Sequence, residues 1–148
     1  MMLQLTEDLL QQIRQHGEDH YPREGAGVIL GRPCDEARRA VALIPLANRS
    51  PEPSRRYHLT PQDMLAAELE AQRLELDILG VFHSHPDTLA EPSRQDLGMA
   101  FPWFSYVITS IHAGEARRTR SWRLPEGDEK WSEERITILR SGADEGCE

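Results

Sequence analysis

His83-Ser84-His85, then Ser93, then Asp96 form the most chemically suggestive run in this chain. Two imidazoles, a hydroxyl and a carboxylate at these offsets are what an open catalytic zinc site needs. Residues i and i+2 of a strand share a face, so His83 and His85 would present their rings side by side. Asp96, in the first turn of a helix starting near Pro92-Ser93, would point back toward them. Structural zinc is usually closed by four protein ligands, whereas three leave a position for water, so this set favours catalysis over scaffolding. A metal held there would lower the pKa of that water and polarise a carbonyl.

Each part also has a plainer explanation. His-x-His is often just a polar pair at a sheet end, and Ser-x-x-Asp is an ordinary helix-start pattern in which Ser caps the first turn and the acid answers it. Capping explains neither the histidines nor their place at the mouth of an apolar strand. A water-activating site also needs a base. Glu24 opens the glycine-bracketed apolar stretch Gly25–Gly31 and could lie over a metal bound at a neighbouring strand end, or be a solvated turn residue.

The elements that must position these groups read as alternating helices and strands. Asp77-Ile78-Leu79-Gly80-Val81-Phe82 is a nearly continuous apolar run, as expected of a buried strand. Thr6 can cap a first helix with Leu9, Leu10 and Ile13 on one face and Pro22 as its outer limit. Strands are expected at 26–30 and 37–46, separated by the turn-rich Gly31-Arg32-Pro33-Cys34-Asp35. After a loop at 47–54, Thr60-Pro61-Gln62-Asp63 starts a core-facing helix carrying Met64, Ala67, Ala71 and Leu74, with Leu65 and Leu69 beside them. Further strands are expected at 104–111, 116–124 and 133–139, with turns at Gly114 and 125–128. The sum is a mixed α/β domain over residues 1–140, a curved sheet with one long helix packed on it, followed by a polar tail at 141–148.

The chain has 148 residues, a net charge of −8 and two cysteines. It is long enough for a real core. No apolar stretch approaches the ~20 residues of a membrane span, and the N-terminus lacks a signal-peptide pattern, so a cytoplasmic setting is expected. The acidity argues against nucleic acid. Arg38-Arg39, Arg55-Arg56 and Arg117–Arg120 read as solvated charges. Cys34 and Cys147 indicate neither a disulfide framework nor a Cys-rich zinc site, and reduced thiols are expected.

Glu24, His83-x-His85, seven residues, Ser93, two residues and Asp96 together resemble the JAMM (MPN+) signature of the JAB1/MPN/Mov34 metalloproteases. The resemblance extends from Glu24 to Ser110 and takes in Gly25–Gly31, Arg56–Pro61 and Phe104–Ser110. One departure is Ala26, where many members have Cys; that position is not among the family's catalytic residues. The resemblance implies the MPN fold and one zinc held by His83, His85 and Asp96, with water as fourth ligand. It implies Glu24 as general acid/base and Ser93 as a donor to the oxyanion. Ser84 should point to the opposite face and has no catalytic role assigned. A small stand-alone member resembles the group that acts on ubiquitin-like sulfur-carrier proteins, cutting a peptide or isopeptide bond at the C-terminal glycine, for example to release cysteine. The alternatives are a metal-free MPN scaffold that binds protein partners and a metal-dependent hydrolase of a small amide.

Overall fold

The computed structural model describes residues 2–48, 50, 52–53, 57–93, 101–125, 127 and 130–140. Asp96 and the helix expected around it, Arg55-Arg56 and the tail 141–148 lie outside the described residues.

Helix α1 (Glu7–His20) starts where expected: the Thr6 backbone is extended and its hydroxyl accepts from Leu9 N at 3.1 Å. It buries Leu9, Ile13 and Gly17, a stripe repeating every four residues. Helix α2 (Pro61–Leu74) opens with a capping box, Asp63 N donating to Thr60 Oγ1 at 3.1 Å and Thr60 N to the Asp63 carboxylate at 2.9 Å. It ends at Glu75 in the left-handed region, φ 58°. Its buried stripe is narrower than expected. Asp63, Ala67 and Ala71 are buried, while Leu65 and Leu69 are 56% and 57% exposed.

Among the described residues seven strands accompany these helices: β1 (Met2–Thr6), β2 (Ala26–Cys34), β3 (Ala37–Leu46), β4 (Asp77–Pro86), β5 (Ser105–His112), β6 (Glu115–Arg123) and β7 (Ser132–Leu139). They close into a barrel in the order β1-β3-β2-β4-β5-β6-β7. Strand β1 was not expected from the sequence. It buries Leu3 and Leu5 and pairs in parallel with both β3 and β7, which turns the expected curved sheet into a closed one. Among the described residues two helices of equal length complete the mixed α/β fold.

The break expected at 31–35 is instead the second half of β2. A bulge between Leu30 and Gly31 accommodates it, and a Cβ on Gly31 would lie 1.9 Å from Arg39 O, so only glycine fits that approach. The pairing of β2 with β4 ends at Gly31, so Pro33, paired with Arg38 of β3, interrupts no ladder on the β4 side by lacking an N–H. The turn itself is Asp35-Glu36, with Asp35 at φ 58°.

Helix α1 touches β1, β3, β4, β5 and β6 and so fills the side toward which the sheet curls. Leu9 and Ile13 pack there with Leu3, Leu5, Ile29, Leu79, Phe82 and Val107. The opposite side carries Val28, Leu30, Ala67 and Ala71 in one cluster, and Ala26, Tyr57, Val81, Phe104 and Tyr106 in another. A bulge at Leu79, where Ile29 pairs with Gly80 and Leu30 with Ile78, sets the alternation of β4 so that Phe82 and Ser84 face α1. Val81 and His83 face the side of Tyr57.

Arg38, expected to be solvated, is half-buried at the start of β3. It donates to Leu79 O at 3.0 Å, Trp103 O at 3.1 Å and Ser105 Oγ, and lies 3.5 Å from the buried Glu134 carboxylate. Arg120 is paired with Glu133 at 2.6 Å and Glu91 at 3.2 Å and stacks over Trp122. Cys34 is not a free thiol, contrary to the expected reduced state, and the chain's other cysteine, Cys147, lies outside the described residues. Among the described residues no helix is long and apolar enough to cross a membrane.

Candidate metal centre and active site

The antiparallel register of β2 and β4 builds the site. Ala26 pairs with His83. Two residues further out, the same register sets Glu24 across from His85. Between them Gly25 and Ser84 are joined twice, Ser84 N donating to Gly25 O at 3.0 Å and Gly25 N donating to Ser84 Oγ at 2.8 Å. Strand alternation therefore places Glu24, His83 and His85 on one side, and Ser84 on the side of α1 as expected.

One ligating atom from each of Glu24, His83 and His85 lies within 4.8 Å of the others, and all three residues are buried. His83 Nε2 and His85 Nε2 are 3.2 Å apart. Two nitrogens at about 2.05 Å from one tetrahedral zinc would sit roughly 3.3 Å apart, so the pair is spaced as a zinc site requires. His85 Nδ1 lies 2.9 Å from Leu89 O. A carbonyl only accepts, so Nδ1 carries the proton and the Nε2 lone pair is left for a metal. The Tyr57 ring stacks on His83 at 4.3 Å and 29°, holding the imidazole plane.

The loop after β4 is tied down along its length. Asp87 N donates to Ile111 O at 2.7 Å, and the Asp87 carboxylate accepts from Ala113 N at 2.9 Å and Tyr21 OH at 2.6 Å. These bonds hold the Asp87 carboxyl below its ordinary range and push the Tyr21 phenol up. Trp122 Nε1 donates to Ala90 O at 2.9 Å. The result is a cleft of about 490 Å³ lined by Glu24, His85, Leu89, Glu91 and Ser93, among others. Ser93 is exposed on its rim.

Of the five site residues expected from sequence, the structure brings together Glu24, His83 and His85 and sets Ser93 on the same cleft as Glu24 and His85. Asp96 lies outside the described residues. The sequence reading did not single out Tyr57, Asn48 or Trp122, which support the site. An Asn two residues before a Ser in a proline-rich loop is an Asx-turn signal that pointed to Asn48. Nothing comparable marked Trp122.

A family model described as prokaryotic homologs of the JAB domain matches residues 6–125. The chain belongs to this family. Among similar proteins is one named a probable TtuB-protein conjugate cleaving protease, from Thermus thermophilus, 33% identical over 87% of this chain and 80% of that one. A desampylase of Haloferax volcanii is 30% identical over 70% of this chain and 74% of its own. A CysO-cysteine peptidase of Mycobacterium tuberculosis is 28% identical over 85% of each chain. A solution structure of a Salinibacter ruber protein is 42% identical with a TM-score of 0.74, covering 95% of this chain and 94% of that one. A JAB1/MPN domain protein from Archaeoglobus fulgidus, 16% identical with a TM-score of 0.57 over 93% and 96% of the two chains, shares the fold. As a JAB-family chain with proteases among its relatives, this protein is an enzyme of the hydrolase class.

Proposed function

We propose that the protein is a zinc peptidase that cleaves the peptide or isopeptide bond after the C-terminal glycine of a ubiquitin-like protein. The observation that carries this is the pair of buried imidazole nitrogens 3.2 Å apart, with the Glu24 carboxylate beside them at the floor of an open cleft. His83 and His85 would hold the metal together with Asp96. Bound zinc would lower the pKa of a water in its open position and polarise the scissile carbonyl.

Glu24 takes the proton from the attacking water and delivers it to the departing amine, the work of a general base that then acts as a general acid. Its burial beside the imidazoles keeps that carboxylate out of bulk water. Ser93, on the cleft rim, donates to the oxyanion that develops at the carbonyl. The relatives named for cleaving TtuB conjugates, for desampylation and for CysO-cysteine hydrolysis favour a ubiquitin-like substrate. A sulfur carrier whose C-terminal extension is removed, for example as cysteine, is the form we favour.

One observation supports a second reading of Glu24. Its carboxylate is close enough to both imidazoles to serve as a ligand itself. Metal analysis of purified wild type, His83→Ala and Glu24→Gln, with hydrolysis of a carrier extended past its terminal glycines by cysteine or by a lysine-linked protein, decides between them. Expected are about one zinc per chain in wild type and Glu24→Gln, none in His83→Ala, and hydrolysis in wild type alone. Zinc lost from Glu24→Gln would make Glu24 a ligand. Wild type without zinc, even after incubation with it, would overturn the metal reading and favour a partner-binding scaffold. Zinc-loaded wild type that cuts only small amides would overturn the carrier substrate.

A further inference from the structure

We propose that Asn48 is a positioning residue: its side-chain amide fixes the backbone of Glu24 and of the segment that seats Tyr57 on His83. This rests on the reading of Glu24 as the proton-transferring group.

Asn48 follows β3, outside the metal cluster, and its carboxamide is fully engaged. Nδ2 donates to Glu24 O at 2.9 Å and Pro53 O at 3.4 Å, while Oδ1 accepts from Ser50 N at 3.0 Å and His58 N at 3.1 Å. An amide offers two N–H donors and an oxygen with two lone pairs, so all four are used. The orientation is determined, because the flipped amide would set oxygen against two carbonyls and N–H against two amides.

Glu24 precedes β2 and so lacks the sheet ladder that fixes the residues after it. Its backbone is held by other means: Glu24 N donates to Pro53 O at 2.6 Å, and Glu24 O receives Asn48 Nδ2. On the far side, the His58 amide bonded to Asn48 Oδ1 adjoins Tyr57, which is buried and stacked on His83. One side chain thus spans from the backbone of Glu24 to the segment carrying the aromatic wall of a metal-ligand candidate. A shift of about 1 Å in a reacting group can cost ~100-fold in rate. Outer-shell partners of metal sites are typically worth about 10–100-fold.

The test compares wild type with Asn48→Ala and Asn48→Asp, with Glu24→Gln as control. Asp keeps an oxygen for Ser50 and His58 but turns a second oxygen on Glu24 O, so it breaks only the grip on Glu24. Ala breaks both. Expected for both variants is wild-type zinc content, a kcat about 10–100-fold lower and little change in KM. Hydrogen exchange on the metal-free proteins gives a readout independent of activity: the Ser50 and His58 amides should exchange faster in Asn48→Ala and stay protected in Asn48→Asp. Wild-type kcat in folded Asn48→Asp or Asn48→Ala, with Glu24→Gln inactive, would overturn the role of Asn48 alone. An active Glu24→Gln would overturn the reading of Glu24 itself. A fall in kcat matched by loss of zinc, or a raised KM with kcat intact, would also overturn positioning. If Asn48→Ala fails to fold, Asn48→Asp decides.

Discussion

Replacing Ser84 by Ala removes one hydroxyl from the side of β4 that faces away from Glu24, His83 and His85, yet we expect both stability and activity to fall. Ser84 is 2% exposed and its Oγ accepts from Gly25 N at 2.8 Å. Deleting an acceptor leaves the partner N–H buried and unsatisfied, which costs about 1–3 kcal/mol. Water has little room to take the hydroxyl's place. The His16 ring abuts Gly25, where a Cβ would meet His16 Cδ2 at 2.8 Å, and α1 closes on Ser84 through Gly17, whose own Cβ would lie 3.0 Å from Ser84 Cβ. For a chain of this size each kcal/mol moves Tm by roughly 2–4 °C, so a cost near 2 kcal/mol lowers Tm by about 4–8 °C. The freed peptide adjoins Glu24, so kcat should fall about tenfold with zinc retained. Calorimetry on matched zinc-loaded and chelator-treated samples, with steady-state hydrolysis beside it, provides the check. A Tm within about 1 °C of wild type, the range of a surface substitution, would show that the Gly25–Ser84 bond is not a constraint on the site.

Two other outcomes follow from the same wall of the site. Gly17→Ala gains about 1 kcal/mol of helix propensity, but its Cβ would lie 2.8 Å from Ile111 Cδ1 and 3.0 Å from Ser84 Cβ. Ile111 can turn away, but Ser84 Cβ sits on a strand, so an overpacking cost of about 1–3 kcal/mol should win. Urea unfolding should show a net loss near 1 kcal/mol, and a gain in stability would refute the fit between α1 and β4. His16 has its pKa lowered, first by burial and then by the neighbouring His20. The folded chain therefore binds fewer protons than the unfolded chain below the ordinary value of 6.5, so His16 costs no stability above that pH and lowers it as pH falls toward the folded pKa. His16→Gln should flatten the loss of stability between pH 7.5 and 5.5, measured by urea unfolding; an unchanged slope would refute it.

The parts legible in the sequence are those whose cause is local. Thr6 and Thr60 start helices through their own first turns, and the apolar run before His83 needs two covered faces wherever it lies. The parts that were not legible depend on distant partners. Strand β1 has only five residues, and its pairing with β3 and β7 is set by residues from 37 to 139. Pro33 looked like a break because the fact that excuses it, the end of the β4 pairing at Gly31, belongs to the sheet and not to the strand. Arg38 sat in what looked like a solvated pair, and carbonyls from 79 and 103 hold it half-buried instead. In the site itself, the two histidines converge by their spacing alone and Glu24 was named through the family resemblance, whereas the bonds of Asn48 and Trp122 run to the distant backbone carbonyls of Glu24 and Ala90.

The same contrast explains why a site of so few chemical groups needs the whole barrel. His83 and His85 are two residues apart, so their rings converge by strand geometry alone. Glu24 arrives on a different strand, past the end of its ladder, and is brought level with His85 by the Ala26–His83 register. That register holds only while β2 stays between β3 and β4, and β3 is in turn held by β1, which joins it to β7. Because α1 follows β1 without a loop, the strand that closes the barrel also delivers Gly17 to the back of Ser84. The distance between carboxylate and imidazoles is thus set from the first twenty residues as much as from the strand that bears the histidines.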